Sequence, residues 1–290
     1  MNRKRLTQVF PALLPIRIAQ RKLFFYTKMN LDSHHYAKTV DDSNLPYFVF
    51  SSHCNLYNRS TGFPMIYQEN KVFNLKLIAK KLNGLLIKSG ETFSFWQAVK
   101  GADKEIAFKD GLSLENGELV VTYGGGLCQM SNLLFWVFLN SPLTLLERHT
   151  HDVKEFPTLR NDEPEGVDAT VSEGWLDLKV KNNTANDFQI VINFLDEYIY
   201  GSLYCRNSLP GDYKAEAENL RYVRSEDKIY QLVTINRLLL DQQGHKVAKE
   251  FLYENFCQIL YPLNEQEIKT IGGPENEKNN DCRVVRRVLG

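Results

Sequence analysis

The chain lacks a net charge: 35 Lys and Arg balance 35 Asp and Glu over 290 residues. Nothing in that balance suggests nucleic acid, and no nucleic-acid recognition motif is present. The five cysteines, Cys54, Cys128, Cys205, Cys257 and Cys282, include no CxxC pair. An odd, scattered set argues against a disulfide framework and against a cysteine-based zinc site. One disulfide stays open for an exported chain, and a reducing compartment is the simpler setting. The N-terminal apolar run, Val9 to Ile16, is interrupted by Pro11 and Pro15 and is too short to span a bilayer. No small-residue cleavage pattern follows it, so no secretory signal is read and a cytoplasmic or membrane-peripheral location is expected. There is no internal repeat.

What the N-terminus does carry is positive charge. Residues 1–28 hold Arg3, Lys4, Arg5, Arg17, Arg21, Lys22 and Lys28 and no acidic side chain. Two readings follow: a basic, solvent-facing arm, or a contact with an anionic membrane surface.

The apolar fraction of 43%, with 17 Phe and 14 Tyr, predicts a globular, strand-rich chain. We expect an α+β fold, an antiparallel β-rich domain with one or two packed helices and a smaller β-rich C-terminal extension. The expected divisions are a basic, irregular lead over 1–60 with a strand at Tyr47–Phe50, a central domain over 61–210, and an extension over 211–290 with a flexible tail. Val72, Phe73, Leu75, Ile78, Ala79 and Leu82 recur at helical spacing, and Asn83-Gly84 closes that helix. Short strands are expected at Leu85–Ile87 and Thr92–Phe95 around a Ser89-Gly90 turn. Leu143 to His151 reads as a strand. Trp175–Val180, Phe188–Phe194 and Tyr198–Tyr204 read as an antiparallel meander, and Lys228–Leu240 and Val247–Leu260 as later strands.

The most informative stretch is Gly124-Gly125-Gly126-Leu127-Cys128-Gln129, which runs into the apolar segment Met130 to Leu139. The glycines permit positive φ and close backbone approach. A helix starting at Cys128 would offer unpaired N–H groups and a positive dipole end to its sulfur, lowering the thiol pKa. Against this stand a small buried hydrophobe and a phosphate-binding turn, although the Lys-Ser/Thr ending of a P-loop is missing.

His149 and His151 lie two apart on the expected strand and so share a face. One of them brought to Cys128 would complete a Cys–His pair, with Asp168 or Asp152 orienting the imidazole. Both histidines could instead ligate a metal with Cys128 or Asp168, or have no role. His34-His35 and His53-Cys54 are treated as structural or incidental.

Several segments together carry a resemblance. Gly90-Glu91-Thr92-Phe93-Ser94-Phe95, the Gly-Gly-Gly-Leu-Cys-Gln run, Arg148-His149-Thr150-His151, Asp168-Ala169-Thr170-Val171 and Asp177 to Asn182 resemble, in order and spacing, the motifs of the VanW family over residues 60–205. Asn132 and Leu133 stand where small hydroxyl residues are common in that family, and Thr150 where proline is frequent. The resemblance implies a role around bacterial peptidoglycan and glycopeptide resistance, with stem peptides or their precursors as partners. Some larger members act as L,D-transpeptidases through the cysteine of this motif. Carried over, Cys128 is the nucleophile, His151 the base, His149 secondary and Asp168 the orienting acid. Gly125, Gly126, Gln129, Ser131 and Arg148 are then candidates for binding substrate, through backbone N–H groups for an oxyanion and a guanidinium for a carboxylate. No cofactor and no metal site is assigned. The alternative is a non-catalytic accessory module that binds the same peptides.

Overall fold

The structure is a computed structural model that describes residues 10–115, 117–151, 153–154, 163–225, 227–264, 266 and 268–270. In chain order it runs α1 (Leu14–Leu31), β1 (His35–Tyr36), β2 (Tyr47–Asn55), α2 (Ile66–Leu82), β3 (Leu86–Ile87), β4 (Glu91–Ser94) and the single-turn α3 (Phe95–Ala98). A hairpin of β5 (Asp110–Glu115) and β6 (Glu118–Tyr123) leads into α4 (Cys128–Leu139), then β7 (Thr144–Glu147), β8 (Val153–Lys154) and β9 (Lys179–Lys181). The chain continues as β10 (Phe188–Leu195), β11 (Tyr198–Cys205), β12 (Asp212–Ser225), β13 (Lys228–Leu240), β14 (Lys246–Ile259) and β15 (Ile268–Thr270). This is the α+β architecture expected.

Helix α4 is apolar on every face and is buried accordingly. Met130, Leu133, Leu134, Phe135 and Val137 are fully buried, and removing each such side chain from water contributes roughly 1.5–3 kcal/mol. Phe138 meets Phe93 edge-on at 5.0 Å and Trp136 meets Phe50 at 5.9 Å. Gly201 of β11 lets the helix approach, because a Cβ there would fall 3.0 Å from Leu133 Cγ. One face of α4 therefore rests on the antiparallel sheet ordered β2-β11-β10-β3.

The C-terminal end of α4 is fastened to the five-stranded sheet β15-β12-β13-β14-β8. Asn140 donates to the Trp136 carbonyl (2.9 Å) and accepts from the Ala215 N–H of β12 (2.9 Å). The buried Arg237 of β13 donates to the carbonyls of Ser141 and Leu143 and pairs with Glu250 at 2.6 Å. A third sheet, β1-β4-β9-β7, places Asp177 beneath α3. Its carboxylate accepts from the Ser94 hydroxyl (2.6 Å) and from the Trp96 N–H (3.2 Å).

Three expectations need correction. The lead is not irregular, since Leu14–Leu31 is an 18-residue helix. Pro15 falls in its first turn, where a missing N–H breaks no bond. The two short strands expected around the Ser89-Gly90 turn are present as β3 and β4, which belong to different sheets. Of the three meander strands only Phe188–Leu195 and Tyr198–Cys205 form a hairpin, while Lys179–Lys181 pairs with β4 and β7. The strand after α4 stops at Glu147, short of both histidines. The tail from Ile271, Cys282, and Arg160 to Asp162 lie outside the described residues, as do Arg3, Lys4, Arg5 and Asp152.

Asn74 of α2 joins these layers. It is fully buried, donates to the carbonyls of Lys109 (2.8 Å) and Gly125 (3.2 Å), and accepts from the Lys109 N–H (2.8 Å). Asn74→Leu strands those backbone groups and is expected to lower unfolding stability by about 1–3 kcal/mol, read as a fall in the urea midpoint.

Candidate active site

The hairpin β5–β6 delivers the chain to a turn that tolerates almost no side chain. A Cβ at Gly111 would lie 2.6 Å from the Gly125 carbonyl oxygen, so these two backbones touch. Gly126 has φ +92°, and a side chain there would also overlap Lys71. Leu127 then starts α4 without supplying a side-chain cap. The Gln129 and Met130 N–H groups turn back to the carbonyls of Gly126 (3.2 Å) and Leu127 (3.0 Å). Among the described residues no backbone carbonyl accepts the Cys128 N–H. The sulfur thus sits at an uncapped helix start, where the dipole favours negative charge.

The facing wall is the extended run Val167 to Val171, pinned to α4 by the first two turns of the helix. Ser131 donates to the Ala169 carbonyl (2.6 Å) and Asn132 accepts from the Ala169 N–H (2.6 Å). Arg148 holds the Asp168 carbonyl through Nε (2.7 Å), donates to Asn255 and lies 4.2 Å from the Tyr253 ring centroid. With its backbone fixed on both sides, Asp168 presents its carboxylate to His151. Oδ2 accepts from the His151 backbone N–H (2.7 Å) and the Thr150 hydroxyl (3.1 Å), while His151 Nδ1 lies 2.9 Å from Oδ2 and 3.1 Å from Oδ1. That use of Nδ1 leaves Nε2 as the ring nitrogen free to serve Cys128, whose sulfur and the imidazole influence each other's charge. Cys128 Sγ also lies 3.4 Å from Thr170 Oγ1 and 3.6 Å from the Val171 carbonyl oxygen.

Charge follows from this geometry. Burial opposes the imidazolium, but Asp168 and Cys128 outweigh it and push His151 up to about 10. Burial would likewise raise Asp168, yet His151 and Arg148 hold it near 2. The Cys128 thiol is lowered despite its desolvation, chiefly by His151 and then by Thr170 and Val171. The arrangement is therefore a carboxylate, an imidazolium and a thiol biased towards thiolate, a combination that can supply a nucleophilic sulfur.

A cavity of about 730 Å³ opens onto the sulfur. Gly126, Cys128, Gln129, His151 and Asp168 line it, together with Cys54, Lys71, Asn132 and, from the C-terminal sheet, Gln231, Asn255 and Cys257. The remaining candidates lie elsewhere. His149 turns to Glu147, 3.0 Å from its Nε2, and Glu147 is shared with Lys179. The two histidines do not share a face because both follow the end of β7. They address different carboxylates, and among the described residues no group of three or more His, Cys, Asp or Glu is arranged to hold a metal ion. Gly125, Ser131 and Arg148 are occupied in positioning the turn and the Asp168 run. Asn132 and Lys71 were missed by sequence reasoning. Asn132, four residues after Cys128, was recoverable from helical periodicity, whereas Lys71 lies on another helix and gave no local signal.

Comparison with known proteins bears on this site. The family described as VanW like protein matches residues 70–204. The vancomycin B-type resistance protein VanW of Enterococcus faecalis is 53% identical over 266 residues, covering 91% of this chain and 97% of that protein. The chain belongs to the VanW family. A second relative of this VanW family chain, the uncharacterized protein YoaR of Bacillus subtilis, is 32% identical over 114 residues, 39% of this chain and 36% of its own length. No solved structure matches.

Replacing Asp168 by Asn removes the charge that holds His151 protonated. The rising limb of Cys128 alkylation by iodoacetamide is expected to move to higher pH, and labelling on that limb falls about tenfold for each pH unit it moves. The same variant bears on acid stability. A carboxyl moved from 3.8 to about 2 contributes stability that is present above its unfolded value and is lost as pH falls through about 2. Acid unfolding of Asp168→Asn is expected to lack that component.

Proposed function

We propose that this VanW family chain is a cysteine acyltransferase of the L,D-transpeptidase type that acts on peptidoglycan stem peptides and serves glycopeptide resistance. The observation that carries the reading is the line from the Asp168 carboxylate through His151 to the Cys128 sulfur at the floor of an open cavity. The name of the Enterococcus faecalis relative supports the physiological setting.

In this reading the Cys128 thiolate attacks the carbonyl carbon that precedes a D-amino acid. The oxyanion that forms faces the Cys128 N–H and the positive end of α4. The C–N bond breaks as His151 passes its proton to the departing amine, leaving a thioester on Cys128 and a free D-amino acid. The amine of a second stem then attacks the thioester, His151 takes the amine proton, the C–S bond breaks and the thiolate–imidazolium pair returns. Asp168 keeps the imidazole oriented with Nε2 towards sulfur throughout and stabilises its charge.

Incubation of the full chain with disaccharide-tetrapeptide, followed by mass spectrometry, tests the proposal. The expected result is an acyl adduct on Cys128 that has lost the terminal D-amino acid, and cross-linked dimers when a second stem is supplied; both vanish in Cys128→Ala. Binding of the muropeptide with neither adduct nor release would leave the accessory-module reading in its place.

A further inference from the structure

Among the described residues Lys71 is a cation without a carboxylate partner. It leaves α2 and runs along Gly126 into the cavity that holds Cys128. Its ammonium donates to Gln68 Oε1 (2.8 Å), a neutral acceptor that also receives the Asn58 N–H (3.1 Å). The other lysine and the arginine that line the cavity are paired, Lys154 with Glu165 and Arg59 with Glu197. Among the described residues no carboxylate lies within ion-pair distance of Lys71. Burial brings this lysine down to about 8, which leaves it largely protonated at neutral pH. A desolvated ammonium with spare donors is held at a cost that an incoming anion relieves.

Position selects the anion. Gly126, against which the Lys71 stem lies, is two residues before the nucleophile, and the absence of a Cβ there makes room for that stem at the edge of the cavity. We propose that Lys71 binds the free α-carboxylate of the C-terminal residue of the substrate peptide, so that the scissile carbonyl one residue earlier meets Cys128. The inference rests on the acyltransferase reading and deepens it: the enzyme removes a terminal residue and does not cut within a chain. In a D-amino-acid leaving group the carboxylate and the departing nitrogen share one carbon, which suits an anchor and a sulfur that line one cavity.

Two alkylating agents separate this claim from the one it rests on. Iodoacetate carries a carboxylate and iodoacetamide does not, while both report the same thiolate. Lys71→Met keeps the length of the stem and removes the charge; its fold is checked by circular dichroism and thermal melting. The ratio of iodoacetate to iodoacetamide rates at Cys128 is expected to fall about tenfold in Lys71→Met at low salt. Slow iodoacetamide labelling of the native chain would overturn the reactive thiol itself. Fast iodoacetamide labelling with an unchanged ratio would overturn the carboxylate anchor alone. A stem tetrapeptide should protect Cys128 from iodoacetamide better than its C-terminal amide does in the native chain, and equally in Lys71→Met. Equal protection by acid and amide in the native chain also sinks the anchor.

A different observation carries a second proposal. Helix α1 rests on the body through Phe25 and Met29, and Lys22 and Tyr26 both bind Glu173. The opposite side is uncovered: Ile16, Leu23, Phe24 and Leu31 are 67%, 67%, 65% and 82% exposed. Arg17, Arg21 and Lys28 flank that stripe, and no acidic residue occurs from Phe10 to Leu31. No helix of the described residues is long and apolar enough to cross a membrane. We infer that α1 lies in the plane of an anionic lipid surface, its apolar stripe among the acyl chains and its basic flank at the headgroups. Vesicles of phosphatidylcholine with phosphatidylglycerol should co-sediment the full chain at physiological salt, and pure phosphatidylcholine vesicles should not. Leu23→Glu with Phe24→Glu, both at exposed positions, should abolish the effect. Equal binding to the two compositions, binding to neither, or retention in the double variant would overturn the inference.

Discussion

Helix α4 is apolar on all sides, and its burial is the constraint from which the arrangement of the other elements follows. A helix with no polar face must be enclosed, so one sheet takes its flank through Phe50 and Gly201 and another fastens its end through Asn140 and Arg237. Enclosure of the shaft leaves its N-terminus as the part that can meet a ligand. The same two turns that begin the helix supply Ser131 and Asn132, which hold the Asp168 run in place. Stability and chemistry are thus built from one segment: its apolar side chains set where it sits, and its first polar ones set what faces the sulfur.

Within the site, desolvation and pairing oppose each other at every titratable group, and pairing prevails where partners are close. Asp168 has three hydrogen-bond donors on its carboxylate and stays ionised although buried. His151 gains more from Asp168 and Cys128 than it loses to burial. Lys71, packed against the glycine of the same turn, has no carboxylate within ion-pair distance among the described residues, and there burial prevails. The contrast assigns the groups different conditions of completeness. The Asp–His–Cys line pairs its charges within the chain, while the lysine meets the neutral Gln68 side chain.

Much of this was legible in the sequence because it is written locally. The glycine run, the lone cysteine and the apolar stretch after it specify a turn and a buried helix from adjacent residues, and β13 and β14 declare themselves by long β-branched and aromatic runs. The unread parts depend on partners distant in the chain. Strand β12, Asp212 to Ser225, is half solvated and rich in charge, so its alternation is masked by lysine, glutamate and arginine. The divergence of His149 and His151 is decided by where β7 ends and by which carboxylate, Glu147 or Asp168, each ring finds. Arg148 reads in sequence as a guanidinium for a substrate carboxylate, and Tyr253 and Asn255 of a strand a hundred residues later contact it.

The contact between Gly111 and Gly125 has an evolutionary consequence. Each residue already carries the smallest side chain, and each occupies the space the other's Cβ would need. A replacement at one position therefore has no compensating replacement at the other, and the two sites form a locked pair in sequence space. Drift can reach the cavity walls, the exposed helix face and the outer strands, but a lineage that keeps Cys128 at this distance from the hairpin keeps both glycines with it.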